Sequence, residues 1–61
     1  MKVSELVRLV KKRGCKLVRH GSRHDIWINP LTGGKTEIPR HQSEEVPSGM
    51  ANGILKDLGL K

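Results

Sequence analysis

The residue of this sequence best suited to proton transfer is His24, which follows a small, flexible Gly-Ser pair and Arg23. Histidine can take up and return a proton near neutral pH because its unperturbed pKa is about 6.5. Arg23 beside it can bind a phosphate group. An imidazole, a phosphate-neutralising cation and a fixed substrate suffice for a general base that acts on an RNA 2′-hydroxyl. The plain alternative is a histidine at a strand end that serves only in hydrogen bonds.

Two further histidines could assist this chemistry or take no part in it. His20 lies one residue before the Gly-Ser pair, so it could face the same groove or merely bind phosphate. His41 follows a Pro-Arg pair and could be a second acid or base, or a solvated loop residue. The sequence does not choose among these roles.

A metal site is the competing use of His20 and His24. Cys15 and Asp25 could complete a ligand set, but no zinc-binding spacing is present and the basic surroundings repel a cation. The Gly-Gly-Lys stretch at residues 33–35 lacks the frame of a phosphate-binding P-loop and leads into a strand, which excludes Walker-type nucleotide hydrolysis. We therefore predict neither a metal nor a cofactor.

Length and composition indicate one small domain over residues 1–61. A chain of this size buries only about 60% of its unfolded surface, so a stabilising partner or homo-oligomer is plausible. The single Cys15 excludes an intramolecular disulfide and is expected to be a small, half-buried hydrophobic residue. No apolar run approaches the roughly 20 residues of a membrane helix or forms a signal peptide, so we expect a cytoplasmic protein.

The net charge of +6 is unevenly distributed along the chain. Residues 1–23 hold eight basic residues and one acid, whereas residues 24–61 hold four basic and five acidic residues. One end of the fold is therefore predicted to be a cationic surface suited to nucleic acid or to an acidic protein partner. The alternative is a solvated basic face that only maintains solubility.

Two amphipathic helices are predicted near the ends of the chain. Ser4 is a suitable N-cap, and apolar residues at helical spacing lead to a basic last turn, which predicts a first helix over residues 5–13. Pro47 at the first helical position opens a second helix that ends at Gly59. The expected buried stripe of this helix comprises Met50, Ala51, Ile54, Leu55 and Leu58.

Three strands are predicted between the helices. Alternation with period two indicates strands over residues 15–20, 24–29 and 35–39, joined by a short glycine turn and a longer loop rich in turn formers. The order α-β-β-β-α indicates an α+β, two-layer fold with a three-stranded antiparallel sheet and both helices on one face. The other face of the sheet stays open.

Two details of this arrangement concern contacts within the fold. If Ile26 and Ile28 face the helices, Trp27 lies on the open face, where an exposed tryptophan is a candidate for recognition. The alternative is that Trp27 covers part of a small core. Gly49 and Gly53 each cost about 1 kcal/mol relative to alanine inside the second helix, so we expect a close approach of another backbone there.

Several segments together resemble the HicA-type toxins, the mRNA-cleaving partners of HicB antitoxins, over nearly the whole chain. The resemblance rests on a first helix that begins Ser-Glu-Leu at residues 4–6 and ends in glycine, GSRHDIW at residues 21–27, IPRH at residues 38–41, and a closing helix over residues 49–59. No single segment is specific, but their order and spacing are.

The resemblance implies a double-stranded-RNA-binding-domain-like fold and a metal-independent endoribonuclease. Its essential residue is the histidine after the Gly-Ser turn, which is His24 here. In a short form of the family the histidine follows Gly-Ser directly, whereas Arg23 intervenes in this sequence; the DIW that follows still identifies His24. His41 matches the family's Pro-Arg-His stretch without a role carried over. A HicB-like antitoxin is the implied protein partner and mRNA the implied substrate.

If the chain is such a nuclease, basic residues of the first helix and strand are expected to hold the RNA backbone, and a base is expected to stack on the Trp27 ring. The predicted RNA-binding residues are Arg23, Arg19, Lys16, Lys12 and Trp27. His20, His41 or water could protonate the leaving group. Two alternatives are a non-catalytic double-stranded-RNA-binding module, whose usual lysine cluster at the start of the last helix is absent here, and a regulatory protein whose nuclease activity has decayed.

Overall fold

The computed structural model describes residues 1–61 and has the predicted α+β architecture. In chain order its elements are α1 (Val3–Lys12), β1 (Lys16–His20), β2 (His24–Ile28), β3 (Lys35–Pro39) and α2 (Ser48–Asp57). The strands form one antiparallel sheet in the order β1-β2-β3. The predicted element order, α-β-β-β-α, is confirmed.

The start of α1 is held by the chain that precedes α2, so the prediction that Ser4 caps this helix is wrong. The N-cap is Lys2, whose backbone N–H donates to the Glu5 carboxylate at 2.8 Å. The free N–H groups of Val3 and Ser4 donate to the carbonyl oxygens of Glu44 and Gln42, at 2.9 and 3.0 Å. Backbone from a distant segment therefore satisfies the donors that a side-chain cap usually serves.

Only one side of the sheet contributes to the core, and it is the side opposite to the prediction. Residues paired across antiparallel strands share a side, and Trp27 pairs with Leu17 and Thr36. Trp27 is only 4% exposed and belongs to one core with residues of both helices, so its predicted place on the open face is wrong. Ile26 therefore lies on the open face with His24.

A ten-residue core explains this orientation, because the single aromatic ring is the largest apolar side chain available to fill it. Both helices contact β3, whereas every residue of β1 is exposed. The core consists of Val3, Leu6, Val10, Cys15, Trp27, Ile38, Val46, Ala51, Ile54 and Leu58. The alternative reading of Trp27 as a core residue is therefore the one that the structure supports.

The second helix follows the predicted pattern with three differences. Pro47 is its N-cap rather than its first residue, and Met50 is half exposed rather than buried. A Cβ atom at Gly49 or Gly53 would meet nothing within 4 Å, so the expected close approach at these positions is wrong. The close approach occurs instead at Gly34, where a Cβ atom would collide with the Asp57 carbonyl oxygen.

Candidate active site

The turn between β1 and β2, residues 21–24, places His24 at the first position of β2. The Gly21 N–H donates to the His24 carbonyl oxygen at 2.7 Å and closes the turn. A Cβ atom on Gly21 would lie 2.5 Å from that oxygen, a distance that real Cβ atoms essentially never show. Glycine is thus required at this position for the two strands to approach, and the turn delivers His24 opposite Pro39 of β3.

The His24 side chain is exposed at the end of the sheet. Hydrogen bonds and ion pairs at this end join His20, Asp25 and Arg40, and none includes the His24 ring. The ring is therefore free to bind a ligand, which is not the arrangement of a strand-end histidine engaged in internal hydrogen bonds.

A polar depression lies between the 21–24 turn and the chain that leaves β3; we call it the His24 depression. It is lined by Ser22, Arg23, His24, Pro39, Arg40, His41 and Glu44. Two imidazoles and two guanidinium groups thus border one cavity. Groups of these two types can move a proton and neutralise a phosphate, which are the two functions that cleavage of a phosphodiester requires.

His20 is held away from this depression by an acidic partner. Its Nδ1 atom lies 2.8 Å from Asp25 Oδ1, the carboxylate oxygen that also accepts a hydrogen bond from Arg40 Nε at 3.0 Å. His20 pairs with Asp25 across the strands, and Asp25 points to the side opposite its neighbour His24. The structure therefore separates His20 from His24 and brings His41 to it.

The Asp25 carboxylate is an electrostatic anchor at this end of the sheet. Its side chain is 13% exposed, whereas those of His20 and Arg40 are 66% and 44% exposed. Its hydrogen bond with His20, followed by that with Arg40, holds the pKa of Asp25 below its usual value against the opposing effect of desolvation. Asp25 is thus a carboxylate at every pH at which the protein is expected to work.

The predicted RNA-binding residues do not form one cluster. Arg19 and Arg23 border cavities that His24 also lines. Lys16 begins β1, about 13 Å along the strand from His20, and Lys12 ends α1 just before it. These two lysines therefore lie towards the opposite end of β1 from the 21–24 turn.

Trp27 does not belong to an exposed binding surface. Its ring is buried, with Lys11 Nζ 5.9 Å from the ring centroid. Its Nε1 atom is buried without a hydrogen-bond partner, and a base cannot reach the ring face in this structure. The expected stacking of a base on Trp27 has no structural support.

Two residues stand out in the structure, namely Asp25, which the sequence suggested only as a member of a rejected metal-ligand set, and Arg40, to which it gave no role. Arg40 bonds to Asp25 and to the backbone of the 21–24 turn. The only signal for it was its place in the IPRH stretch, because its partners lie 15 and 19 residues away. No local pattern predicts contacts at such a separation.

Ligands for a metal ion are not clustered in the fold. No group of three or more His, Cys, Asp or Glu side chains is close enough to hold one. Cys15 is 5% exposed, deeper than the half-buried position expected for it, and burial raises the pKa of its thiol. Neither helix has the length and apolar character needed to cross a membrane.

Comparison with known proteins identifies the family. A family model described as HicA toxin of bacterial toxin-antitoxin matches residues 3–60. The chain is 37% identical over 62 positions to a protein named Probable mRNA interferase HicA 2 from Photorhabdus laumondii subsp. laumondii, with full coverage of both chains. No solved structure matches, so the likeness to double-stranded-RNA-binding domains stays a prediction. The chain belongs to the HicA toxin family of bacterial toxin-antitoxin systems.

Proposed function

We propose that this toxin is an endoribonuclease that cleaves mRNA in the cytoplasm, with His24 as its general base and without a metal ion. The observation that carries the proposal is the exposed, unpaired imidazole of His24 in a depression shared with His41 and two arginines. The name of the relative from Photorhabdus, an mRNA interferase, supports RNA as the substrate.

The reaction is an internal transfer of the phosphate. His24 takes the proton of a ribose 2′-hydroxyl, and the resulting oxygen forms a bond to the adjacent phosphorus. The bond between phosphorus and the 5′-oxygen of the next nucleotide breaks. The products are a 2′,3′-cyclic phosphate and a 5′-hydroxyl, once the departing oxygen has received a proton.

His41 is the better placed of the two other histidines to supply that proton. It lines the His24 depression, whereas His20 is bonded to Asp25 on the other side of the sheet. An acid and a base on either side of one phosphate allow both proton transfers without a change of position. We therefore assign the acid role to His41 and no chemical role to His20.

Charge on the phosphate in the transition state requires a cation that is free to bind it. Arg23 is exposed, and no hydrogen bond or ion pair of its guanidinium competes with a ligand. Arg40 lines the same depression, but its Nε and Nη2 atoms are already bonded within the protein. Arg23 is thus the phosphate-binding residue of the proposal, and Arg19 extends the cationic surface along β1.

The test compares RNA cleavage by the wild type with that of His24→Ala, His41→Ala and His20→Ala, all in the presence of a chelator. We expect loss of cleavage for His24→Ala, a decrease of about 10²–10⁴-fold for His41→Ala, and near wild-type rates for the matched control His20→Ala. Circular dichroism verifies that each variant is folded.

Each contrary result in this comparison has a distinct meaning. Undiminished cleavage by His24→Ala removes that residue from the mechanism. Inhibition of the wild type by the chelator supports a metal-dependent reaction instead. RNA binding without any cleavage by the wild type supports the alternative of a double-stranded-RNA-binding module.

A HicB-like antitoxin is the proposed protein partner. Residues 1–23 carry eight basic residues against one acid, and every residue of β1 in this part of the chain is exposed. An acidic surface that covers β1 and the His24 depression would block RNA from both. Binding would also bury surface that the isolated domain leaves in water.

A further inference from the structure

We propose that Arg40 is a positioning residue that holds the 21–24 turn, and with it His24, in the orientation needed for cleavage. The inference rests on the proposed function, because it concerns how the general base of that reaction is held. Arg40 acts through Asp25 and the turn backbone and makes no contact with RNA.

Three hydrogen bonds from one residue reach both ends of the turn. The Arg40 guanidinium donates from Nε to Asp25 Oδ1 at 3.0 Å and from Nη2 to the Gly21 carbonyl oxygen. Its backbone N–H donates to the Arg23 carbonyl oxygen at 3.3 Å. The bond to the Arg23 carbonyl oxygen holds the backbone immediately before His24, and the bond to the Asp25 carboxylate holds the side chain of the residue immediately after it.

The backbone of the turn supplies little support of its own. Between the paired residues His20 and Asp25 the turn spans four residues, and none of them has a positive φ, as is usual for loops of this length built around a type I turn. One backbone hydrogen bond, from the Gly21 N–H to the His24 carbonyl oxygen, closes it. The bonds from Arg40 therefore add constraints that the turn does not supply by itself.

The Asp25 carboxylate sets the orientation of the Arg40 guanidinium. Its side chain is largely shielded from solvent, and its Oδ1 atom accepts hydrogen bonds from Arg40 and His20 together. The planar guanidinium offers donors in a fixed fork and can bond to the carboxylate and to the Gly21 carbonyl at the same time. A lysine ammonium lacks this fork, so charge alone does not replace Arg40.

A residue that positions the general base affects the rate of the chemical step rather than the binding of RNA. A displacement of about 1 Å of a reacting group can lower a rate about 10²-fold. We therefore expect Arg40→Gln to lower kcat by about 10²-fold with an unchanged KM for RNA. Arg23→Gln, which removes the cation that contacts the phosphate in both the bound substrate and the transition state, is expected to raise KM as well as to lower kcat.

A double-mutant cycle tests whether Arg40 acts through Asp25. Asp25 does not line the His24 depression, so Asp25→Ala removes the anchor without removing a group that could touch RNA. If the two residues act as one unit, Asp25→Ala lowers kcat to a similar extent, and the double variant is no slower than either single variant. Lys56→Gln, which removes an exposed cation of α2 that has no part in the proposed function, is the control and retains wild-type kcat.

A second variant covers the case in which Arg40→Gln or Asp25→Ala fails to fold. Arg40→Lys keeps the positive charge beside Asp25, and we expect a folded protein with low kcat and unchanged KM. Nuclear magnetic resonance relaxation should show Ser22, Arg23 and His24 as rigid as β2 in the wild type and more mobile in this variant.

The outcomes separate this inference from the proposed function. A raised KM with additive losses would make Arg40 an RNA contact and overturn the positioning role. The positioning role would also be overturned if Arg40→Lys kept wild-type kcat and a rigid turn while His24→Ala was inactive. That result would leave the proposed function of His24 intact. A wild type that cleaves no RNA refutes the proposed function itself, whereas the relaxation measurement still decides whether Arg40 holds the turn.

Discussion

The requirement for glycine at position 21 gives a sharp prediction for Gly21→Ala. The added Cβ atom would lie 2.5 Å from the His24 carbonyl oxygen, whereas ordinary van der Waals contact begins at 3.4 Å. The two groups must therefore separate by about 0.9 Å, and this oxygen belongs to the backbone of the proposed general base. Overpacking of this kind costs about 1–3 kcal/mol of folding free energy.

The effect on activity should exceed the effect on stability. A displacement close to 1 Å lowers the rate of a positioned group about 10²-fold, so we expect that loss in kcat for RNA cleavage by Gly21→Ala. Urea unfolding gives the free-energy change, and cleavage is measured well below the unfolding midpoint. Folded Gly21→Ala with wild-type kcat would refute the reasoning, because the turn would then not control His24.

A matched glycine control is present in α2. A Cβ atom at Gly49 would meet nothing within 4 Å, and this residue lies inside the helix rather than in a turn. Because Gly49 is the second residue of α2, Gly49→Ala should stabilise the protein by less than the about 0.5–1 kcal/mol of a mid-helix position, with cleavage unchanged. Destabilisation by Gly49→Ala would mean that this glycine has a contact the structure does not contain.

Three further predictions concern pH, the core and the partner. The pKa of Asp25 is lowered by His20 and Arg40, so its stabilising contribution is present above the unfolded pKa and is lost as pH falls through the folded value. Urea unfolding should thus show the wild type more stable than Asp25→Ala near neutral pH, with a gap that narrows in acid; a constant gap contradicts the ion pairs. Trp27→Leu should lower stability but leave the KM for RNA unchanged because the ring is buried, and a raised KM would indicate base stacking. Complex formation with the antitoxin should raise the melting temperature of the toxin, and equal values for free and bound protein would argue against it.

Much of the fold was predictable because its elements carry local signals. The strands at residues 24–28 and 35–39 follow from alternation, and Gly14, with a φ of 91°, ends α1 as its position after a basic turn indicates. The hairpin that presents His24 could be predicted from the Gly-Ser pair between two strands.

The errors arose where distant residues override a local pattern. Asp25 and Trp27 lie on the same face of β2, and the carboxylate suggests that this face points to solvent. The opposite face carries Ile26 and Ile28, which suggests that it faces the core. Arg40, fifteen residues away, and His20 satisfy that carboxylate and allow Trp27 to face the helices. The cap of α1 and the close approach at Gly34 also depend on segments far along the chain.

The candidate site could be predicted only in part, because some of its residues are brought together by contacts between distant parts of the chain. His24 and Arg23 could be identified from adjacent residues, and family resemblance favours His24 among the three histidines. The choice of His41 over His20 as the second histidine required the structure, because only the packing of the chain after β3 against the 21–24 turn brings His41 to the depression. Burial of Trp27 likewise could not be decided from alternation alone.

The most direct test of the central claim is an analysis of the RNA ends produced by the wild-type toxin in the presence of a chelator. Attack by a 2′-hydroxyl predicts a 2′,3′-cyclic phosphate, or the phosphate that forms from it, together with a 5′-hydroxyl, and no cleavage by His24→Ala. Products with a 3′-hydroxyl and a 5′-phosphate would contradict the account, because they require attack by water rather than by the neighbouring ribose.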